Sequence, residues 1–153
     1  MATSRDNPYG SFNFQVSADR FGGDAAAVRA GFQEISGLGM EVTVAEYRTG
    51  NFKENHVLKM NGLTKFTDVV LKRGIIGVTD FYDWIKDVSD GSPSARATVR
   101  IDLMNEENTD AVLSWTLSGA KPMKYTGATL NAKTGTDVAI EELTLSVEKL
   151  EVS

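Results

Sequence analysis

Alternation of apolar and polar positions is the main signal along the chain. Phe12, Phe14 and Val16 alternate with Ser11, Asn13, Gln15 and Ser17. That is the period of a half-buried strand, in which successive side chains point to opposite faces. Val28–Ile35 reads as a second strand, closed by Gly37-Leu38-Gly39 and preceded by a turn over Phe21–Ala27 that holds Gly22-Gly23-Asp24. In a third strand, from Met40 to about Arg48, Met40, Val42 and Val44 face one way and Glu41, Thr43 and Ala45 the other. Phe66–Gly74 returns to strand character. Ala97, Val99, Ile101 and Leu103 alternate with Thr98, Arg100 and Asp102. The turn Asn105–Asp110 joins that run to Leu113, Trp115 and Leu117, which alternate with Ser114, Thr116 and Ser118, as a hairpin requires. Leu143, Leu145 and Val147 form the last apolar face; Ile140 is out of phase with them, which predicts a bulge near Glu141-Glu142.

One stretch changes period. Phe81, Trp84, Ile85 and Val88 stand at i, i+3, i+4 and i+7 and make a single apolar stripe, so Thr79–Asp90 is a helix. Thr79 or Asp80 can cap its start, Asp80 and Asp83 suit the positive end of its dipole, and Gly91-Ser92-Pro93 stops it. Three segments lack sustained periodicity. Ser4–Gly10, with Pro8 and Gly10, reads as the body of an extended N-terminal arm (1–10). Thr49–Gly62 is a long polar loop with Gly near each end, and Lys121–Gly135 is a Gly- and Thr-containing connection with Pro122. A loop as long as Thr49–Gly62 inside a compact domain is usually functional.

The reading is about seven strands and one helix, with strands in runs rather than alternating with helices, so the sheet is mainly antiparallel. The fold class is mainly β, an antiparallel barrel or sandwich with one flanking helix. A length of 153 residues without linker, repeat or low-complexity tract makes one domain, residues 1–153.

Composition removes several functions. With no cysteine, a disulfide framework, a thiolate metal site and a cysteine nucleophile are excluded, and one histidine, His56, cannot build a multi-histidine site. A net charge of −5 argues against nucleic-acid binding. No apolar run is long enough to span a bilayer, and the polar start carries no secretory h-region. The expectation is synthesis in the cytoplasm and no membrane insertion by this chain alone.

Candidate chemistry is sparse. His56, with Lys53 and Glu54 nearby, has no Gly-x-Ser-x-Gly nucleophile elbow to serve and reads as a surface or interface histidine. Asp102, Glu106, Glu107 and Asp110 surround a hairpin turn but lack EF-hand spacing. Glu141-Glu142 fall on opposite faces of a regular strand and cannot act as a glycosidase pair. Gly37-Leu38-Gly39 and Gly74-Ile75-Ile76-Gly77 lack the full phosphate-loop pattern and serve as punctuation. No catalytic, cofactor-binding or metal-ligating residue is assigned, and no cofactor is expected. Binding or assembly is favoured over catalysis.

Longer strings carry a resemblance. They are Phe32-Gln-Glu-Ile-Ser-Gly-Leu-Gly-Met-Glu-Val-Thr-Val-Ala-Glu-Tyr-Arg-Thr-Gly50, Leu63-Thr-Lys-Phe-Thr-Asp-Val-Val-Leu-Lys-Arg-Gly74, Phe81-Tyr-Asp-Trp-Ile-Lys-Asp87, and Lys121-Pro-Met-Lys-Tyr-Thr-Gly127 with Leu130-Asn-Ala-Lys133 and Ile140-Glu-Glu-Leu143. The opening Asn7-Pro-Tyr-Gly-Ser-Phe-Asn-Phe14 fits as well. In this order they resemble the contractile-tail tube proteins: phage tail tubes, the inner tubes of extracellular contractile injection systems and, more distantly, the type VI secretion tube protein. The resemblance implies a β-barrel of two packed sheets with a flanking helix. It further implies hexameric rings stacked head-to-tail into a hollow tube inside a sheath, driven through a target envelope to deliver cargo. The implied partners are further copies of the chain, the sheath protein, baseplate or tube-initiator and tube-terminator proteins, and lumen cargo, protein or DNA, held without sequence-specific contacts. A tube-initiator paralogue at the baseplate and a monomeric β-barrel binding a small ligand are the alternatives.

Within that frame the long loop 49–62 is the expected contact between stacked rings. Its candidate residues are Asn51, Phe52, Lys53, Glu54, Asn55, His56, Val57 and Leu58, because a few aromatic or aliphatic anchors can carry an interface. Asn7, Pro8 and Tyr9 of the arm are a second candidate contact. The polar sets Ser114, Thr116 and Ser118, or Thr144, Ser146 and Glu148, are candidates to face the lumen.

Overall fold

A computed structural model describes residues 6–18, 31–77, 79–133, 135 and 137–153. The expected turn Phe21–Ala27, the first half of the expected second strand and the start of the N-terminal arm lie outside the described residues. In chain order the strands are β1 (Phe14–Ala18), β2 (Phe32–Ser36), β3 (Met40–Tyr47), β4 (Leu58–Phe66), β5 (Val69–Gly74), β6 (Ala97–Met104), β7 (Ala111–Thr126), β8 (Ile140–Ser146) and β9 (Lys149–Val152). The helix α1 (Asp80–Ser89) and a short 3₁₀ turn (Pro93–Ala95) stand between β5 and β6.

Seven strands join in one antiparallel sheet in the order β1-β6-β7-β8-β5-β2, with β9 added along β7. The 16-residue β7 holds it together. Its first part pairs with β6, Val99 opposite Leu117, and its second part pairs with β8, Lys121 opposite Ser146. Gly119 sits at the changeover with φ +63, a left-handed conformation that favours glycine. The stretch Lys121–Thr126 is thus strand and not connection. Pro122 lacks a ladder donor and is accommodated because the β7–β8 register shifts between Pro122 and Lys124.

The core draws on both halves of this sheet. Val16, Val99, Ile101 and Leu117 come from one half and Val69, Leu71, Leu143 and Leu145 from the other, with Phe81 and Trp84 of α1 completing the cluster. The helical stripe therefore faces inward as its spacing requires, and Trp84 Nε1 donates to the Ala95 carbonyl. At the helix start, Thr79 makes no capping bond; its hydroxyl donates to Asp83 instead. Among the described residues β1 and β2 do not pair with each other, so the two halves form a sandwich with no closed barrel shown. A groove of about 330 Å³ lies there, lined by Phe14, Ile35, Leu38 and Trp115 among others.

The strand phases correct four further expectations. Phe66 ends β4 and is separate from β5, since Thr67 and Asp68 break the run. Leu58–Gly62 belongs to β4, so the long loop shortens to the residues between Tyr47 and Leu58. Ser114 is buried: its hydroxyl donates to Asp102 and accepts from Arg100 Nη2 at 3.3 Å, which removes it from a solvent-lined face. There is no bulge at Ile140. The β5–β8 register is regular from Val69–Leu145 to Gly74–Ile140, and Glu141, in phase with Leu143 and Leu145, points into the interior.

Glu141 is tolerated there because it meets Arg73, which is in phase with Val69 and Leu71 on the neighbouring strand. The guanidinium is only 1% exposed. Its Nε donates to Glu141 Oε1 at 2.7 Å, its Nη1 donates to Asp80 Oδ2 at 3.0 Å, and its Cζ lies 3.8 Å from the centre of the Phe81 ring. Tyr125 donates to the second Glu141 oxygen at 3.2 Å. Burial alone would lower the Arg73 pKa, but the hydrogen bonds and charges of Asp80 and Glu141 outweigh it and raise it. Asp80 is the first residue of α1, so this network ties the helix to three strands, β5, β7 and β8. Removing one partner would leave an uncompensated buried charge.

Candidate assembly surface

The β3–β4 ribbon stands apart from everything just described. Its two strands pair with each other and join no other strand among the described residues. All of β3 and all of β4 except Phe66 are exposed. At an antiparallel rise of about 3.4 Å per residue, the ribbon is roughly 25–30 Å long. Yet it is rich in apolar side chains: Met40, Val42, Val44, Tyr47, Leu58, Met60 and Leu63 are all exposed, Leu63 at 86%. Monomeric soluble proteins seldom expose contiguous apolar surface beyond a few hundred Å².

Its root is pinned. The Thr67 hydroxyl donates to the Gly37 and Gly39 carbonyls at 2.6 and 2.9 Å, and Thr67 N donates to the Gly39 carbonyl at 3.2 Å. Gly37 has φ +87, and a Cβ there would stand 2.1 Å from the Asp68 carbonyl oxygen, so the crossing needs glycine. At the far end, Arg48 Nη2 donates to the Phe52 and Glu54 carbonyls at 3.3 Å each, and Phe52 N donates to the Thr49 carbonyl at 3.1 Å. His56 meets the Glu54 carboxylate through Nε2 and packs edge-on against Phe52 at 5.1 Å.

The expected contact residues therefore share one place. Asn51, Phe52, Lys53, Glu54, Asn55, His56 and Val57 make the turn of the ribbon and Leu58 opens β4. Val42, Val44 and Met60, exposed on the same ribbon, were not among them. Val42 and Val44 signal themselves in the alternation of β3, and Met60 in the alternation of Leu58 and Met60 with Lys59 and Asn61, masked by Asn61-Gly62 at the end of the stretch that reads as loop. In the arm, Asn7 and Pro8 are exposed and Tyr9 is half-buried. The arm ends where Asn13 Nδ2 donates to the Asn105 carbonyl at 3.3 Å and Met104 N donates to the Asn13 carbonyl at 2.9 Å. The acidic turn is tied internally, since Thr109 N donates to Asn105 Oδ1 at 2.8 Å and Arg100 Nε donates to Asp102 at 2.8 Å.

Residues 10–151 match the family described as T4-like virus tail tube protein gp19. The chain belongs to this tail tube family. Its role is that of a structural subunit of a tube. No curated protein matches it. Among solved structures, it is similar to a chain of the PVC sheath-tube complex of an extracellular contractile injection system in the extended state. Identity is 28%, with 97% of this chain and 93% of that chain covered, at a TM-score of 0.81. It is similar to a chain of the anti-feeding prophage baseplate at 25% identity, covering 97% of each chain, with a TM-score of 0.78. Hcp1 from Flavobacterium johnsoniae shares the fold at 10% identity, with 93% of this chain and 95% of that chain covered and a TM-score of 0.58. The resemblance of the sequence blocks to contractile-tail tube proteins is thus supported by family, and the fold is shared with Hcp1.

Proposed function

We propose that the chain is the repeating subunit of the inner tube of a contractile injection system or phage-like tail. Six copies close into a ring, and rings stack head-to-tail into a hollow tube inside a sheath, bounded by baseplate and terminator proteins. The tube is made in the bacterial cytoplasm and carries cargo through its lumen without sequence-specific binding. The role is mechanical and involves no catalytic step. The observation that carries this reading is the exposed apolar ribbon on a chain of the tail tube family: its side chains find no cover among the described residues. A closed ring and an open axial stack suit one another, because each ring meets the next through several copies of a weak contact and linked contacts multiply.

The turn of the ribbon, Asn51–Val57 with Leu58, is assigned to the contact between rings, and Asn7, Pro8 and Tyr9 to a second contact. Deleting Phe52–His56 is expected to leave a folded subunit, by circular dichroism and thermal melting, that no longer extends tubes by negative-stain electron microscopy. Tubes of normal length from the deletion would overturn the assignment. The likeness to a baseplate chain supports a second reading, a tube initiator. A repeating subunit added to purified baseplates grows tubes whose length rises with its concentration; an initiator adds one ring and stops.

A further inference from the structure

The two faces of the ribbon are not alike, and the difference changes side halfway along. Residues directly opposite in an antiparallel pair share a face. Met40 stands opposite Phe66, and Val42 opposite Thr64, so the root half of one face holds Met40, Val42 and Phe66, with Val44 next in phase. The other face of that half carries the Glu41–Lys65 pair at the root, and Leu63, in phase with Lys65, stands on that face beside the step toward Met60. Beyond the middle the pattern inverts. Ala45 stands opposite Met60 and Tyr47 opposite Leu58, on the face that began with Glu41 and Lys65. The Glu46–Lys59 pair now occupies the face that began with Met40 and Phe66.

The inversion has a structural cause in β4. Val42 pairs with Thr64 but Val44 pairs with Asn61, so β4 has one more residue than β3 across this step. One extra residue switches the parity of everything after it. The even-numbered Phe66 and Thr64 lie on one face; the even-numbered Met60 and Leu58 lie on the other. Gly62 makes the bulge possible, because a Cβ there would stand 2.9 Å from the Thr43 carbonyl oxygen.

A partner lying on one face can cover only half of the ribbon's apolar side chains. It would also press its other half against a Glu–Lys pair. We propose that the ribbon is held between two different copies of the chain, one covering the root half on the Val42 side and the other covering the tip half on the Tyr47 side. This rests on the reading of the chain as a tube subunit, in which every ribbon is surrounded by identical chains. The face chemistry agrees: each polar half carries one acid and one base in register, a neutral pattern suited neither to the phosphates of a nucleic acid nor to an anionic membrane surface.

The chain has no cysteine, so a single introduced thiol is a unique attachment point. A benzophenone maleimide would be placed on Val42→Cys and Met60→Cys, and on the polar-half sites Glu41→Cys and Glu46→Cys. Each labelled variant is mixed as a minority into isotope-labelled wild-type subunits and grown on purified baseplates, then irradiated. The mixing keeps assembly intact and identifies crosslinks between chains by mass. Val42→Cys and Met60→Cys are expected to give strong inter-chain crosslinks to two non-overlapping sets of peptides, and the polar-half sites several-fold weaker ones. Both apolar sites marking the same peptides, or polar-half sites crosslinking as strongly, would overturn the inference while leaving the tube reading in place. Wild-type chains that form no tubes on any baseplate would overturn the tube reading, and this inference with it.

Discussion

The sandwich and the ribbon are made from the same kinds of residue and end in opposite situations. In β5, Val69 and Leu71 alternate with Val70 and Lys72, and the apolar pair is buried against Leu143, Leu145 and Phe81. In β3, Met40, Val42 and Val44 alternate with Glu41, Thr43 and Ala45 just as regularly, and every one of them is exposed. Alternation states that a strand has an apolar face. It does not state which molecule covers that face. The sandwich covers its own, reinforced by a buried ionic network; the ribbon leaves its own exposed.

That comparison can be broken or sharpened by substitution, and the expected effects on the isolated subunit fall in order. Phe81→Ala should destabilise by about 3–5 kcal/mol in urea unfolding, because it opens a cavity in the core and removes the ring beneath Arg73. Arg73→Met should cost nearly as much, about 3–5 kcal/mol, by stranding Glu141 and Asp80. Adding Glu141→Leu and Asp80→Asn to it should recover most of that loss, because the apolar replacement then leaves no buried charge. If Arg73→Met alone is neutral, the network does not join helix to sheet.

Tyr125→Phe is a smaller test, about 1.5–3 kcal/mol for a lost hydrogen bond to a carboxylate. Its pH dependence is more telling. Burial, then the charge of Glu141, raises the Tyr125 pKa, so the folded state holds the phenolic proton more tightly than the unfolded chain does. This contribution is complete below the ordinary tyrosine value of about 10 and is lost as pH rises through and beyond it. Tyr125→Phe should therefore flatten the alkaline limb of the stability curve relative to wild type. The smallest change belongs to the ribbon. Val42→Ser and Met60→Ser should shift subunit stability by no more than about 0.5 kcal/mol, yet sharply reduce tube length in electron micrographs. Equal losses in sandwich and ribbon would erase the distinction between them.

Where alternation was continuous, the sequence was a faithful guide. The pairing of β6 with β7, the inward phase of Leu143, Leu145 and Val147, and the stripe of α1 all stand where their spacing puts them, with the buried Ser114 an exception in β7. Local punctuation misled. Pro122 and Asn61-Gly62 read as loop, but both sit at register shifts, where a strand accommodates a missing donor or an extra residue. The bulge expected at Ile140 follows from placing that apolar residue inside, whereas the regular strand gives the inward phase to Glu141. Its phase was correct all along, and only its charge disagreed with the interior.

The chain by itself determined the mainly antiparallel β class, the helix at residues 80–89 and the faces of most strands, because period and side-chain polarity are local properties. Four ordered sequence blocks also pointed to the tail tube family. Only tertiary structure decided which apolar faces meet in the core and which stay exposed. Arg73 and Glu141 are 68 residues apart and become partners only when β5 and β8 lie in register. Met40 and Phe66 become one surface only when β3 and β4 pair. Such pairings depend on strand order and on the count of residues across each bulge, and neither is written in any short stretch of the chain.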